Sequence, residues 1–339
     1  MNAVGATHDT GVTRVSGPVV SVIIATRDRA ALLTETLDAL ARQTWPRERV
    51  EILVADNGST DGTRAAVEAA AARSGAPAVH YLSISEPGKS FAVNAALARA
   101  RGDILAFTDD DVLPQPAWIE RLAAAFEESG ADFVAGRILP RWETSPPAWL
   151  SPALYGVLAI PDNGGGRQAI PSPGSAVMPI GANMAVRAEV IALIGGLRTD
   201  LGKLAGTLRT GEDHEFFLRM LGAGFRGTYE PTAVVHHWVP RKRLVASYFR
   251  RWMYQNGRDV ARLAALGAPT RRLIGIPRHL WREAIVNTSR AVRLSLAGDS
   301  ASALAAGLRV LWFGGYLRET WIGSGARGRK PTTHAAEPA

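Results

Sequence analysis

The stretch Ile104-Leu105-Ala106-Phe107-Thr108-Asp109-Asp110-Asp111 decides the fold class of this chain. A short apolar run that ends in a polar turn predicts a strand buried on both faces, as in a parallel sheet. Comparable runs lead us to expect strands at residues 19–25, 50–55, 79–83 and 103–107. Helix-length segments separate these runs, which predicts an α/β fold with a mostly parallel central sheet flanked by helices.

Three adjacent carboxylates, Asp109, Asp110 and Asp111, follow the last of these strands. They repel one another unless a cation or hydrogen-bond donors compensate them. Side chains alternate along an extended segment, so Asp109 and Asp111 can point the same way. Carboxylate oxygens suit Mg²⁺ or Mn²⁺, which keep coordination sites for substrate phosphates. The triplet therefore predicts a metal site, with a purely structural turn and helix cap as the alternative.

Polar residues also follow the other predicted strands. Ligands of open α/β sheets bind outside the carboxyl ends of the strands, so these positions are candidates for ligand binding. They are Thr26, Arg27 and Asp28 after the first strand, Asp56 and Asn57 after the second, and Thr108 after the fourth. Asp56 can accept hydrogen bonds from a ribose or a base, although Asp and Asn before Gly also form ordinary turns.

Two later motifs carry acid–base and metal-ligating side chains. Gly211-Glu212-Asp213 opens a predicted helix at residues 212–221. Its carboxylates can deprotonate an acceptor hydroxyl, or they can simply complement the helix dipole. His236 and His237 end a predicted strand at 233–237, where alternation directs one of them inward. That histidine can complete a metal site or be packed without a ligand.

Several function classes are excluded or disfavoured. The chain has no cysteine, which excludes disulfides, thiolate zinc sites and cysteine nucleophiles. Gly88-Lys89-Ser90 is not a P-loop, because the earlier glycine of that motif would fall on Ser83. No G-x-G-x-x-G follows the first strand, which disfavours a dinucleotide-binding domain.

Composition divides the 339 residues into four parts. Residues 1–18 are rich in Gly, Thr and Ser without the apolar core of a signal peptide, so we expect a disordered leader. An α/β domain is expected over 19–240, and its stretch 139–181 is predicted to be a long functional loop. Three basic amphipathic helices are expected over 241–323, followed by a disordered tail at 324–339.

The net charge of +8 is concentrated in the C-terminal part, where residues 241–339 contain 18 Lys and Arg against 5 Asp and Glu. This asymmetry indicates an anionic partner such as membrane phospholipid, a lipid-linked phosphate or nucleic acid, or else solvated helix faces. No window of about 18 apolar residues predicts a transmembrane span. We expect these helices to dock on a membrane surface through Arg250, Arg251, Trp252 and Tyr254.

Taken in order, these segments resemble the family 2 glycosyltransferases of the GT-A fold, of bacterial type, over residues 19–255. The segments are 20–26, 55–62, 88–94, 107–111, 181–184 and 211–213. The resemblance implies a GT-A fold with a C-terminal helical extension. It also implies inverting, metal-dependent transfer of a sugar from a nucleoside diphosphate sugar to an acceptor hydroxyl, in cell-surface polysaccharide or glycoconjugate synthesis.

The resemblance also implies roles for individual residues. Asp213 matches the catalytic base, with Glu212 as its neighbour on the acceptor side. The metal, Mn²⁺ or Mg²⁺, would be held by Asp109, Asp111 and His237. Residues 19–138 would form the nucleotide-binding half and 139–240 the acceptor-binding half, where Gly181, Asn183 and Glu212 face the donor sugar and the acceptor. The implied nucleotide contacts are Thr26, Asp28, Arg29, Asp56, Lys89, Asn94, Asp109 and Asp110.

Some positions depart from the family pattern. Ala25 stands where a proline is usual, Arg27-Asp28 replaces an aromatic-Asn pair, and the Gln-x-x-Arg-Trp motif of processive synthases is missing after Gln255. We therefore expect a transferase that adds a single sugar. We also expect it in the cytoplasm, either free or peripheral on the inner face of the membrane, and acting on a glycan or lipid-linked acceptor.

The alternatives to a glycosyltransferase are a sugar nucleotidyltransferase and a non-enzymatic nucleotide-sugar or membrane-binding module. A nucleic-acid binder is disfavoured because no recognised motif accompanies the charge.

Overall fold

A computed structural model describes residues 17–161, 163–172, 177–203, 206–264 and 272–323. Residues 1–16 of the expected leader and the whole expected tail, 324–339, lie outside the described residues.

Four parallel strands form the N-terminal half of the sheet, as the apolar runs predict. They are β1 (Val20–Thr26), β2 (Val50–Asp56), β3 (Ala78–Ser83) and β4 (Ile104–Asp109), in the spatial order β3-β2-β1-β4. Helices α1 (Ala30–Leu40), α2 (Thr63–Ala71) and α3 (Lys89–Leu97) connect them. Because the strands are parallel, the polar residues after β1, β2 and β4 meet at one edge of the sheet.

The second half of the sheet is mixed. It adds β5 (Val112–Pro114), β6 (Phe133–Trp142), β7 (Gln168–Ile170), β8 (Asn183–Arg187) and β9 (Gly227–Val239), and the order continues β4-β8-β6-β9-β5, with β7 also paired to β9. Helices α4 (Trp118–Ser129), α5 (Ala188–Ile194) and α6 (Glu212–Gly222) flank it. The predicted loop 139–181 is only partly irregular, because β6 continues to Trp142 through parallel pairing with β9.

Side chains of the central strands alternate between two cores. Val20, Val22 and Ile24 pack on one face of the sheet, while Ile23 packs on the other. A strand buried on both faces needs apolar residues at most positions, and the buried Ser21 and Glu51 near the starts of β1 and β2 satisfy each other by a hydrogen bond. Burying one such apolar side chain contributes about 1.5–3 kcal/mol. The result is the mostly parallel, helix-flanked sheet that the sequence predicts.

Three C-terminal helices follow the sheet, as expected: α7 (Ala246–Ala264), α8 (Arg278–Leu296) and α9 (Ser300–Trp321). A short hairpin of β10 (Arg272–Leu273) and β11 (Ile276–Pro277) precedes α8. Phe249 and Met253 of α7 and Leu308 of α9 join the core on one face of the sheet. The extension is therefore packed onto the α/β domain. Among the described residues, every helix is too short or too polar to cross a membrane.

Helices α7 and α9 touch at backbone distance. A Cβ atom at Gly257 would collide with the carbonyl oxygen of Trp312, and one at Gly315 would collide with that of Tyr254. Beyond this crossing, Glu319 accepts hydrogen bonds from Arg258 Nε at 2.9 Å and Arg262 Nε at 2.8 Å. Close packing and these ion pairs fix the position of α7, whose other side faces the candidate site.

Candidate active site

A cavity of about 990 Å³ opens at the carboxyl ends of β1 and β4. Its walls come from these strand ends, the start of α6, the 3₁₀ turn Pro152–Leu158 and one side of α7. This is the sheet edge at which the sequence predicts a ligand site.

Three candidate metal ligands meet on the floor of this cavity. Asp109 ends β4, Asp111 lies in the turn to β5, and antiparallel pairing of β5 with β9 brings His237 opposite Val112. One ligand atom from each of Asp109, Asp111 and His237 lies within 4.8 Å of the other two. The predicted alternation also holds for the histidine pair, because His237 is buried while His236 is half-buried.

The chemistry of these side chains fits a divalent cation. Asp111 Oδ1 and His237 Nδ1 are buried and have no hydrogen-bond partner within the described ranges. His237 Nε2 lies 3.4 Å from Asp111 Oδ1, and burial lowers the pKa of His237, which favours the neutral, metal-ligating imidazole. Two carboxylates and an imidazole match Mn²⁺, while the carboxylates alone suit Mg²⁺.

Asp110 lines the cavity beside the metal-ligand candidates and has protein hydrogen-bond partners. Its carboxylate accepts hydrogen bonds from Thr26 Oγ1 and Arg29 Nη1, both at 2.8 Å. Arg29 Nη1 also donates to Asp111 Oδ2 at 2.6 Å. Burial raises the pKa of Asp110 to about 6, although Arg29 opposes this rise. Arg29 therefore compensates the repulsion between the adjacent aspartates, and the hydrogen bond from Thr26 to Asp110 fixes the turn after β4.

Lys89 links the metal-ligand group to the candidate base. Its Nζ lies 2.6 Å from Asp109 Oδ1. Burial alone would lower the pKa of Lys89, but Asp109, Asp213 and Glu212 together raise it. Lys89 is held here because Gly88 adopts φ +136°, which favours glycine, and its N–H donates to Asn57 Oδ1.

Glu212 and Asp213 begin α6 and line the cavity together. Burial, followed by repulsion from Asp213, raises the pKa of Glu212 to about 7. Burial likewise raises the pKa of Asp213. The Gly181 N–H donates to Asp213 Oδ2 at 3.0 Å, and a Cβ at Gly181 would lie only 3.0 Å from Asp213 Oδ1. A buried, oriented carboxylate with a raised pKa has the properties of a general base.

Asp28 and Asp56 lie at the far end of the site, beyond β1 and β2. Asp28, at φ +51°, accepts a hydrogen bond from Thr60 N–H at 2.7 Å. Asp56 accepts from Ser59 Oγ at 2.6 Å and from the Tyr81 hydroxyl at 2.8 Å. These contacts shape one edge of the site. Asp28 lines the cavity itself, whereas Asp56 is buried behind it.

Four predicted site residues do not line the cavity, namely Asp56, Asn94, Gly181 and Asn183. The Asn94 side chain bonds both to the carbonyl of Leu197 at 2.7 Å and to its N–H at 2.8 Å. Asn183 accepts from Trp118 Nε1 at 2.8 Å and donates to the carbonyls of Arg137 and Ala233. Both side chains thus join neighbouring elements of the fold, and Gly181 acts through its backbone on Asp213.

Sequence reasoning missed the contribution of α7 to this cavity. Trp252, Asn256 and Asp259 line it, at the spacing of one helix face. Asp259 Oδ2 accepts a hydrogen bond from Thr210 N–H at 2.9 Å, so α7 anchors the loop that leads into Glu212. Buried polar residues on an otherwise amphipathic helix are the signal that could have identified this wall.

Two of the four expected membrane contacts on α7, Arg251 and Trp252, line the cavity instead of the outer surface. Arg250 is exposed and Tyr254 is half-buried, so membrane contact through these two stays a prediction. The expectation rested on charge and aromatic content alone, which do not tell an inner helix face from an outer one.

Four unpaired cations also line the cavity: Lys203, Lys242, Arg243 and Arg251. None of the four forms an ion pair with another residue that the structure describes, and burial lowers the pKa of Lys203. Such a cluster attracts an anionic ligand. With the metal-ligand group and the base, the cavity can bind a phosphorylated substrate and remove a proton beside it.

Known proteins with similar sequences include glycosyltransferases and a polysaccharide-biosynthesis protein. Residues 21–192 match the family described as Glycosyl transferase family 2. The succinoglycan biosynthesis protein ExoM of Rhizobium meliloti (strain 1021) is 30% identical over 237 residues, which cover 69% of this chain and 71% of that protein. The glycosyltransferase AglE of Haloferax volcanii is 36% identical over 125 residues, covering 36% of this chain and 40% of that protein.

Solved structures with the same fold include a mannosyltransferase, PcManGT from Pyrobaculum calidifontis, in complex with GDP-Man and Mn²⁺. It aligns with a TM-score of 0.62 at 21% identity and covers 90% of this chain and 88% of its own. The fold likeness therefore extends beyond residues 21–192 into the C-terminal helices.

Proposed function

The chain belongs to glycosyltransferase family 2, and on this premise we propose that it is an inverting, metal-dependent transferase that moves one sugar from a nucleoside diphosphate sugar to an acceptor hydroxyl. The observation that carries the proposal is the position of Lys89. This residue lies between the candidate metal ligand Asp109 and the candidate bases Glu212 and Asp213. This arrangement supports diphosphate binding and proton removal at adjacent points of one cavity.

In this proposal Asp213 is the general base. It removes the proton of the acceptor hydroxyl as the hydroxyl oxygen bonds to the anomeric carbon, while the bond from that carbon to the diphosphate oxygen breaks. The Gly181 N–H orients the carboxylate, and burial supplies its raised pKa. Glu212, the other buried carboxylate of this pair, faces the acceptor. Direct displacement needs no covalent intermediate.

The metal would be held by Asp109, Asp111 and His237. When bound, Mn²⁺ or Mg²⁺ supplies positive charge that neutralises the departing diphosphate. Arg29 keeps Asp111 oriented by its hydrogen bond to Oδ2, which leaves Oδ1 for the ion. Two carboxylates and one imidazole are a set of donor groups that fits this ion.

The nucleoside is proposed to lie along the ends of β1 and β2. Asp28 and Arg27 face the cavity there, and Asp56 supports this edge through Ser59 and Tyr81. Thr26, Arg29 and Asp110 support the same turn from beneath. Residues 19–138 remain the proposed nucleotide half. The proposed acceptor half, 139–240, shares its cavity wall with α7.

The acceptor is proposed to be a glycan or a lipid-linked glycan in cell-surface polysaccharide or glycoconjugate synthesis on the cytoplasmic side. ExoM, named a succinoglycan biosynthesis protein, supports this class. The unpaired cations Lys203, Lys242, Arg243 and Arg251 support anionic substrates. No nucleic-acid partner is proposed.

Slow hydrolysis of the donor tests the proposal without a known acceptor. UDP-, GDP- and dTDP-sugars with an α-linkage are incubated with protein and Mn²⁺, and the anomeric proton of the first product is observed by NMR. We expect the β-sugar first. Asp213→Asn should lower this rate by about 10²–10⁴-fold while nucleotide affinity changes less than about threefold. Nucleotide binding without turnover of any donor would instead support a non-enzymatic binding module.

A further inference from the structure

The exposed apolar side chains of this protein are concentrated at its C-terminal end. Of twelve large apolar residues that are exposed in the described ranges, nine lie within 272–323. Single exposed apolar residues are normal, but a group of this kind marks an interaction surface.

Four of these nine residues lie on the outer side of α8. Only Leu280 of its 19 residues is buried. Leu280 and Ala284 pack with Phe313 and Tyr316 of α9 in one apolar cluster, so the other side of α8 points away from the protein. Four apolar side chains there are Ile285, Val286, Val292 and Leu296, which are 69%, 54%, 57% and 85% exposed.

Arginines lie among these apolar residues. Ile285, Val292 and Leu296 are spaced by seven and four residues and form one stripe. Arg282, Val286 and Arg293 have spacings of four and seven and form the adjacent stripe. We call these six residues the α8 face. Both arginines are exposed, and Glu283 is the only acidic residue of α8.

A second apolar group continues the surface at the start of α8. The hairpin residues Leu273 and Ile274 are 49% and 69% exposed, and Trp321 and Ile322 at the end of α9 are 49% and 68% exposed. Trp321 Nε1 donates to the carbonyl of Ile274 at 3.0 Å, so the hairpin and the end of α9 are joined. Tryptophan with apolar neighbours suits the headgroup boundary of a bilayer.

We propose that the α8 face, with the hairpin tip and the end of α9, docks on a membrane surface that contains anionic phospholipids. Apolar side chains enter the headgroup boundary, and the arginines extend their charged ends to lipid phosphates. On α7, by contrast, Arg251 and Trp252 line the cavity.

Two other occupants fit less well. A second copy of the chain would bring Arg282 and Arg293 against the same residues in a two-fold contact. Residues 324–339 contain no apolar residue larger than alanine or proline, and they add three cations against one acidic residue. Charge complementarity therefore favours an anionic bilayer.

Sedimentation with vesicles tests the proposal on the full chain. The vesicles are phosphatidylcholine alone, or phosphatidylcholine and phosphatidylglycerol in a two-to-one ratio. We expect binding to the mixed vesicles only, weakened at high salt. Replacing Ile285, Val292 and Leu296 by serine should lower the partition coefficient at least tenfold. Arg282→Glu with Arg293→Glu should do the same, because each surface arginine contributes about fivefold.

Two matched control variants distinguish vesicle binding through the α8 face from binding through the positive charge or exposed apolar residues of the protein in general. Arg42→Glu with Arg99→Glu changes two exposed arginines elsewhere, and Leu193→Ser removes a 72% exposed leucine of α5. We expect both controls to bind as wild type does. All variants should keep the wild-type circular dichroism and thermal midpoint, which excludes unfolding. Because no donor or acceptor is present, the result is independent of the proposed transferase activity.

Three results would overturn the proposal. They are failure of wild type to bind the mixed vesicles, equal loss of binding in the Arg42/Arg99 control, and unchanged binding after the triple serine substitution. Light scattering adds a fourth. A dimer that the triple serine variant disrupts would show that a second copy covers the α8 face.

Discussion

Glu212→Gln should make the protein more stable while it damages the active site. Raising the pKa of Glu212 from 4.5 to about 7 corresponds to about 3 kcal/mol of unfolding free energy, at 1.36 kcal/mol per pH unit. The cause is burial of a side chain whose residue is 7% exposed, together with repulsion from Asp213. Glutamine has nearly the same shape as glutamate but is neutral. The substitution therefore avoids the free-energy cost of burying a charged carboxylate.

The sign follows from proton binding. Between about pH 4.5 and pH 7 the folded protein holds the Glu212 proton more tightly than the unfolded chain does, so the unfolding free energy of wild type falls as the pH rises through this window. The gain from Glu212→Gln is therefore about 3 kcal/mol at about pH 8 and only about 1 kcal/mol at about pH 5.

Urea unfolding of wild type and Glu212→Gln at these two pH values, with a chelator present, measures the difference. Glu215→Gln is the matched control on the same helix, because Glu215 pairs with Arg219 at 2.9 Å. That substitution should destabilise the protein slightly, by up to about 1 kcal/mol. An equal gain from Glu212→Gln at both pH values, or no gain at about pH 8, would refute the reasoning.

Two further substitutions and one pH profile test the active site and the crossing of α7 with α9 that supports it. Gly181→Ala should lower kcat at least about tenfold, because the new Cβ lies 3.0 Å from Asp213 Oδ1 and displaces the base. Nucleotide affinity should not change. Steady-state kinetics measures kcat, and calorimetry measures the affinity. The pH profile of kcat/KM should lose activity on the acid side at a pH above the ordinary range of an aspartate, because burial raises the pKa of Asp213, and a profile flat down to about pH 4 would contradict this. Gly257→Ala should lower the free energy of unfolding by about 1–3 kcal/mol in urea titration, because its Cβ collides with the Trp312 carbonyl, whereas Gly222→Ala, with open space around it, should not.

Much of the fold follows from patterns that depend on neighbours in sequence. The four apolar runs became β1 to β4 within one or two residues, because a sheet packed between helices selects apolar side chains along most of each strand. The gathering of Asp109 and Asp111 could also be predicted, since alternation and the parallel sheet fix where they point. His237 joined them through pairing of β5 with β9, for which the late strand gave the only sign.

Other features depend on contacts between distant segments. Asn94 and Asn183 match the family pattern, yet their side chains bond to Leu197 and Trp118 across the fold, which no local pattern reveals. The role of Asp259 in holding Thr210 is of the same kind. The basic C-terminal helices were predicted as a group, but which side of α7 faces the cavity depends on its crossing with α9 at Gly257.

The most direct test of the central claim is isothermal titration of the protein with UDP, GDP and dTDP, each with and without Mn²⁺, on wild type and on Asp111→Ala. Asp38→Ala, which removes a carboxylate of α1 outside the cavity, is the matched control. We predict that one nucleotide binds with Mn²⁺, that Asp111→Ala abolishes the metal dependence, and that the control retains it. If no nucleotide binds under either condition, or if Asp111→Ala binds as wild type does, the proposed donor site is wrong.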